Sequence, residues 1–249
     1  MEEKKPSERV IEIIKPYFEA KGFTYKKSQK EFLRKFPLGR QKFSLSFDGR
    51  GGIVTVNCGF FIFFDELINL SGKIFDEKTG DWSFQISENL LEHAPFFKHD
   101  VRVGFLFDSR FEGMTLAEKS KYSSYIVHPE RKIKQGADFI IKAFELYAEP
   151  HFNKIDNYET LYNALINSVR VRYTQVATPY INLILCHDEE KLVYDSLILA
   201  LCLNKETTAI EELLNDMLGR YTVGKEEVKQ NIQKIYDYDK TKNLKNLLE

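Results

Sequence analysis

The densest chemistry in the sequence is cationic. Between positions 21 and 50 lie Lys21, Lys26, Lys27, Lys30, Arg34, Lys35, Arg40, Lys42 and Arg50, opposed only by Glu31 and Asp48, whereas residues 51–120 are net acidic. Cations gathered on one face of a strand hairpin attract an acidic protein or the phosphates of a nucleic acid. Lys26, Lys27, Lys30, Arg34, Lys35, Arg40 and Lys42 are therefore the candidate partner-binding residues. The competing explanation is protective, because lysine on an exposed strand discourages edge-to-edge aggregation. Tyr25, Phe32 and Phe36 interleave with the cations, but alternation assigns these rings to the core.

Other chemistry is thinner. Gly49 to Gly52 lacks the spacing and the Lys-Ser/Thr of a phosphate-binding loop and suits a hairpin turn. His93, His99, His128, His151 and His187 include no pair four residues apart, and no H-E-x-x-H occurs. His93 and His99 could meet Asp100, yet a metal needs three or four convergent ligands and nothing further makes them converge. In His187-Asp188-Glu189-Glu190, Asp188 reads as a helix cap and the glutamates suit the helix dipole. No G-x-S-x-G elbow is present. Cys58 faces inward by strand parity, and Cys186 and Cys202 lie in apolar helical runs, so all three read as buried thiols in a reducing compartment. Asp65-Glu66 after the longest strand reads first as a helix start, and a dispersed pair of catalytic carboxylates remains the alternative. No catalytic residue, cofactor or metal is assigned.

The elements that must position the cations follow from periodicity. Val10, Ile13, Ile14, Tyr17 and Phe18 mark a helix from a Ser7 cap to about Lys21, which Pro16 should kink or split and Gly22 should stop. Phe23 and Tyr25 open a strand, and Lys27 to Lys30 form a turn or a bulge. Phe32 and Phe36, then Phe43, Leu45 and Phe47, continue at period two. Asp48 to Gly52 is a hairpin loop before a long strand whose inward face is Val54, Val56, Cys58, Phe60, Ile62 and Phe64. Phe61 and Phe63 make the end of that strand apolar on both faces, so both should be covered. Trp82, Phe84, Ile86 and Val101, Val103, Phe105, Phe107 also alternate, with a covering loop around His93 to Phe97.

After Thr115 the pattern is helical. Thr115 to Glu118 matches a capping box, and Pro129 precedes a stripe of Ile133, Ala137, Ile140, Ile141, Phe144 and Tyr147. Asp156 to Glu159 starts a helix with Leu161, Leu165 and Ile166 inward. Val169 to Ala177 reads as a strand or an irregular link. Pro179 opens a helix through Leu185, and Leu192–Leu203 with Ile210–Leu218 form an antiparallel pair. Gly219 and Gly224 then punctuate the way to a last helix striped by Val228, Ile232 and Ile235.

The expected fold class is α+β: an antiparallel sheet of about five strands with helices on one face and a mostly helical C-terminal half. Residues 1–150 form the sheet domain and 151–249 a helical region, which is either a second domain or part of the same one. Phe (20 residues) and Tyr (13 residues) are abundant enough to build a thick core and a substantial sheet. A net charge of −1 argues against binding nucleic acid over the whole surface. The charged start MEEKKPSERV has no apolar leader core, and no apolar run approaches membrane-spanning length, so the expectation is a cytoplasmic protein with no membrane partner.

The succession of "IIKPYFEAKGF", "TYKKSQKEFLRKF", "QKFSLSF" and "VTVNCGFFI" resembles an uncharacterised family of bacterial domains of unknown function, some of whose members sit in toxin-immunity gene neighbourhoods. The resemblance covers the first quarter to half of the chain, and the Tyr194–Leu201 run fits the helical tail of such proteins. It implies a non-enzymatic protein-binding role of the immunity or regulatory type, and it transfers no functional residue. The alternatives are an enzyme with dispersed acid/base residues and nucleic-acid binding through the basic 21–50 hairpin. Another protein is thus the first expected partner and nucleic acid the second; the oligomeric state is left open.

Overall fold

A proline opens the first helix. The structure, a computed structural model, describes residues 5–50, 53–75, 85–89, 131–174, 189–220 and 224–248. Helix α1 (Pro6–Ala20) has Pro6 in its first turn, where a missing N–H costs nothing. Lys5, not Ser7, stands at the N-cap, and its backbone N–H donates to Glu8 Oε2 at 3.4 Å. The helix continues through Pro16, which therefore does not split it. An internal proline costs about 3 kcal/mol, and burying Val10, Ile14 and Phe18 at roughly 1.5–3 kcal/mol each outweighs it. Ile11 joins that buried stripe while Ile13 is 44% exposed, which rotates the inward face slightly from the expected one. The helix ends in a Schellman motif around Gly22, whose φ is 82°. The Phe23 N–H donates to the Phe18 carbonyl and the Gly22 N–H to that of Glu19, both at 3.0 Å.

That turn feeds an antiparallel meander. Strands β1 (Thr24–Lys26), β2 (Glu31–Phe36), β3 (Gly39–Arg50), β4 (Ile53–Phe64) and β5 (Gln85–Asn89) lie side by side in chain order. Four of them are five to twelve residues long, and β1 is a three-residue edge. Pairing continues to Arg50↔Ile53, so Asp48, Gly49 and Arg50 belong to β3 and the connection is shorter than the expected loop. β2 pairs only with Gly39–Ser44 of β3, and β5 only with Gly59–Phe63 of β4. Among the described residues, the remaining half of β3–β4 is therefore a two-stranded ribbon.

One face of the sheet carries Phe32, Gln41, Phe43, Leu45, Val56, Cys58, Phe60, Ile62 and Phe64, all buried. Helix α2 (Asp65–Phe75) follows β4 without a loop, its acids Asp65 and Glu66 placed in the first turn where the helix dipole favours them. Next come α3 (Arg131–Ala143), a π-helical turn (Phe144–Ala148) and α4 (Glu149–Lys154). The π turn precedes Pro150, whose ring and missing N–H do not fit a regular α ladder. Phe18 stacks on Phe32 and Phe43, with centroids at 4.2 and 5.3 Å, and meets Phe144 edge-on at 4.8 Å. Phe152 and His151 pack on Phe60. The described aromatic contacts between helices and sheet all fall on this one face.

The remaining helices are α5 (Tyr158–Thr174), α6 (Glu189–Cys202), α7 (Thr208–Arg220) and α8 (Lys225–Lys242). The ambiguous stretch from Val169 continues α5 as far as Thr174, and Gly219 lies inside α7 rather than after it. Residues Leu192–Ala200 of α6, mostly apolar but including Asp195 and Ser196, are buried on every side. The ion pair Lys191–Asp195, 3.0 Å long, accompanies them. Tyr158 reaches Phe64 and Phe75 reaches Tyr194, so side chains from both sides of residue 150 pack together. Trp82, Phe84, His93 to Phe97, Val101 to Phe107, Thr115 to Glu118, Pro129 and Pro179 to Leu185 lie outside the described residues.

Two glycines separate space from conformation. A Cβ on Gly39 would overlap the Phe63 carbonyl, whereas one on Gly219 meets nothing within 4 Å. Gly39→Ala is expected to cost about 3 kcal/mol or more. Gly219→Ala, on an exposed helical site, should be neutral or stabilising by up to about 0.5 kcal/mol. Urea unfolding of both variants checks this; equal midpoints would refute the close approach at Gly39.

Candidate functional site

Strand parity decides which cations can act together. Lys35, Arg40 and Phe63 form one row across β2, β3 and β4, and Leu33, Lys42 and Phe61 the next. Lys26, Glu31, Ser44 and Gly59 form a third. All these residues occupy the face opposite the aromatic core. Lys35 and Arg40 are exposed, while Lys42, Phe61, Phe63 and Leu33 are half-buried.

The cations and rings of this face are locked together. Phe61 and Phe63 lie nearly parallel, with centroids 6.2 Å apart and planes 16° apart. The Lys42 ammonium sits 4.1 Å from the Phe61 centroid and 5.3 Å from that of Phe63. The Arg40 guanidinium lies 5.3 Å from the Phe63 centroid. Each contact is an attraction of roughly 0.5–1 kcal/mol at such a site. Carboxylates complete the arrangement: Arg40 Nε donates to Asp65 Oδ1 at 3.0 Å, and Lys42 Nζ lies 3.7 Å from Glu31 Oε2. Asp65 thus both opens α2 and orients a cation.

The other sequence candidates are placed elsewhere. Arg34 faces the core, because it lies between Phe32 and Phe36 on the same side of β2. Its Nε donates to Gln41 Oε1 at 2.8 Å and its Nη1 to the Lys21 carbonyl at 3.2 Å, with the guanidinium over the Phe23 ring. Burial lowers its pKa. Gln41 in turn donates to the Phe152 carbonyl at 2.8 Å, so Arg34 belongs to the seam between sheet and helices. Lys27 and Lys30 are exposed in the β1–β2 turn, and the Lys30 ammonium leans 5.8 Å from the Phe47 ring, on the core side. The structure therefore brings Lys26, Lys35, Arg40 and Lys42 to one face and leaves Arg34, Lys27 and Lys30 off it.

A second polar cluster lies along the same seam. Tyr17 Oη donates to Glu145 Oε1 at 2.8 Å and Lys21 Nζ to Glu149 Oε1 at 2.6 Å. Burial, and the Glu145 carboxylate that accepts its proton, raise the Tyr17 pKa. These contacts join the end of α1 to the π turn and the start of α4. Cys58 and Cys202 are buried free thiols, and burial drives both pKa values up, that of Cys202 to about 12, so neither is a nucleophile at neutral pH. His151 stacks on Phe60 at 5.4 Å. Among the described residues no three His, Cys, Asp or Glu side chains converge as metal ligands, and no helix is long and apolar enough to cross a membrane. Cys186, His93, His99, His128 and His187 lie outside the described residues.

Comparison of the chain with protein families, with curated proteins and with solved structures gives no match in any of the three.

Neighbouring cations should respond differently to truncation. Arg34→Ala removes two hydrogen bonds and uncovers Phe23, at an expected cost of about 1–3 kcal/mol. Lys35→Ala should stay within about 0.5 kcal/mol of the parent. Chemical denaturation of the pair is the check, and a destabilised Lys35→Ala would contradict the assignment of faces. A pH scan tests the seam further along. The Tyr158 hydroxyl donates to Glu66 Oε2 at 3.3 Å, and burial together with the Glu66 charge pushes its pKa from 10.0 to about 12. Because the fold favours the protonated phenol, its contribution is full below pH 10 and disappears as pH rises through about 12. Unfolding midpoints should fall across that window, and Tyr158→Phe should make the fall shallower.

Proposed function

We propose that this chain is a non-enzymatic binding protein of the immunity or regulatory type, and that it engages an acidic protein across the outer face of its sheet. The observation that carries the proposal is the pair Arg40 and Lys42 held over Phe63 and Phe61 by Asp65 and Glu31. Cations fixed in this way lose little side-chain freedom when a partner arrives, which removes part of the usual ordering cost of association. Lys26 and Lys35 flank them on the same face and have no ion pair among the described residues. The resemblance read from the sequence of the first quarter to half of the chain implies the same class of role.

Mixed charge favours a protein over a nucleic acid. A phosphate backbone, charged at every nucleotide, would meet Glu31 and Asp65 as well as the cations, whereas a protein can set carboxylates opposite the cations and uncharged side chains opposite Glu31 and Asp65. The net charge of −1 supplies no long-range attraction for a polyanion. The parallel rings of Phe61 and Phe63 are the one observation that favours nucleic acid, since exposed aromatic faces on a sheet can stack on bases. Here those rings already carry ammonium and guanidinium groups.

The protein used as bait in its native host should retain one stoichiometric protein partner. A double variant, Lys26→Glu with Lys35→Glu, should weaken that complex by about tenfold or more while keeping its unfolding midpoint. Failure to retain any stoichiometric partner counts against the proposal. Binding of nucleic acid with an affinity that falls steeply in salt would replace it.

A further inference from the structure

The outer face has the repeat of an extended chain. Arg40 and Lys42 are two residues apart on β3, and Phe63 and Phe61 stand directly opposite them on β4. Same-face residues of a strand recur about every 6.6–6.8 Å, and the two ring centroids are 6.2 Å apart. A strip results, with cations along one side and phenyl rings along the other. On β2, Lys35 adds a cation at the level of Arg40 and Leu33 an aliphatic side chain at the level of Lys42.

Building on the acidic-protein reading above, we infer that the segment recognised here is an extended polypeptide with carboxylates at alternate positions. Laid along the strip, such a segment points every second side chain at the sheet with the same period as Arg40 and Lys42. Its intervening side chains point away and are not read. Carboxylates two apart reach both cations at once, and a third cation, Lys35, lies beside Arg40. The aliphatic stem of each partner carboxylate lies against Phe61 or Phe63, so anion and methylene groups are recognised together. A helix presents neighbouring acids three or four positions apart on a convex surface and matches the strip less well.

Labelled peptides of about ten residues test the inference by fluorescence anisotropy against the full chain. One alternates glutamate with threonine or valine; an isomer of the same composition carries its glutamates in one block; the third probe is a single-stranded oligothymidylate of similar charge. The alternating peptide should bind about tenfold more tightly than the blocked isomer, and Lys35→Glu should weaken it. The backbone amide shifts that move should cluster at 33–42 and 61–63. Equal affinity for the two isomers overturns the extended mode, as does failure of both to bind. In either case an intact complex with the host partner, sensitive to Lys26→Glu and Lys35→Glu, would leave the acidic-protein reading standing. Tighter binding of the oligothymidylate overturns both.

Discussion

The Phe18 ring is the contact on which the rest of the structure depends. It is wholly buried, stacks on Phe32 and Phe43 of the sheet, and takes the edges of Phe23 and Phe144. Three of these four neighbours come from the chain within 25 residues of it, and the fourth from the distant π turn. Aromatic pairs of this kind contribute about 0.5–1.5 kcal/mol each beyond their buried area. One ring thus joins the first helix, the meander and the helical half. The Schellman turn at Gly22 places Phe23 against Phe18 and aims the chain into β1, so a local backbone preference sets the entry angle of the whole sheet.

Once that side of the sheet is filled, the other side inherits what is left. Alternation sends Lys35, Arg40 and Lys42 away from the core and Arg34 into it, although all four belong to one basic run. The outward cations are not simply solvated. Phe61 and Phe63 interrupt the polar side of β4 and hold the cations by their faces, and Asp65 and Glu31 hold them by charge. The same residue types end on opposite sides a single position apart, Lys35 exposed on the outer face and Arg34 in the structural seam.

Much of this was legible beforehand. The period-two runs of β3 and β4, the buried stripe of α8 and the helix-opening acids at Asp65 and Glu66 follow from residue pattern alone. The inward place of Arg34 is also readable, because Phe32 and Phe36 bracket it at the correct parity. Other features depend on tertiary context. Val169 to Thr174 is rich in residues that favour strands, yet it continues a helix whose Leu161, Leu165 and Ile166 are already buried. Pro16 does not split its helix, because the burial of Val10, Ile14 and Phe18 outweighs the cost. The π turn before Pro150 has no sequence signature beyond the proline itself. The pairing of Arg40 with Asp65 spans the entire β3–β4 hairpin and could not be inferred from spacing.

The unequal lengths of the strands carry a geometric consequence. Among the described residues, where β2 and β5 stop, at Ser44 and Gly59, the long hairpin continues as two strands. Adjacent strands rotate by about −20 to −25° in a wide sheet, and by more in a ribbon of two. Beyond that point the surface therefore winds like a screw instead of continuing as a gently turned plate. A stiff footprint can follow the plate past Arg40 and Lys42 but must lift away where the winding begins, so the width of the sheet itself limits how long a straight ligand can remain in register.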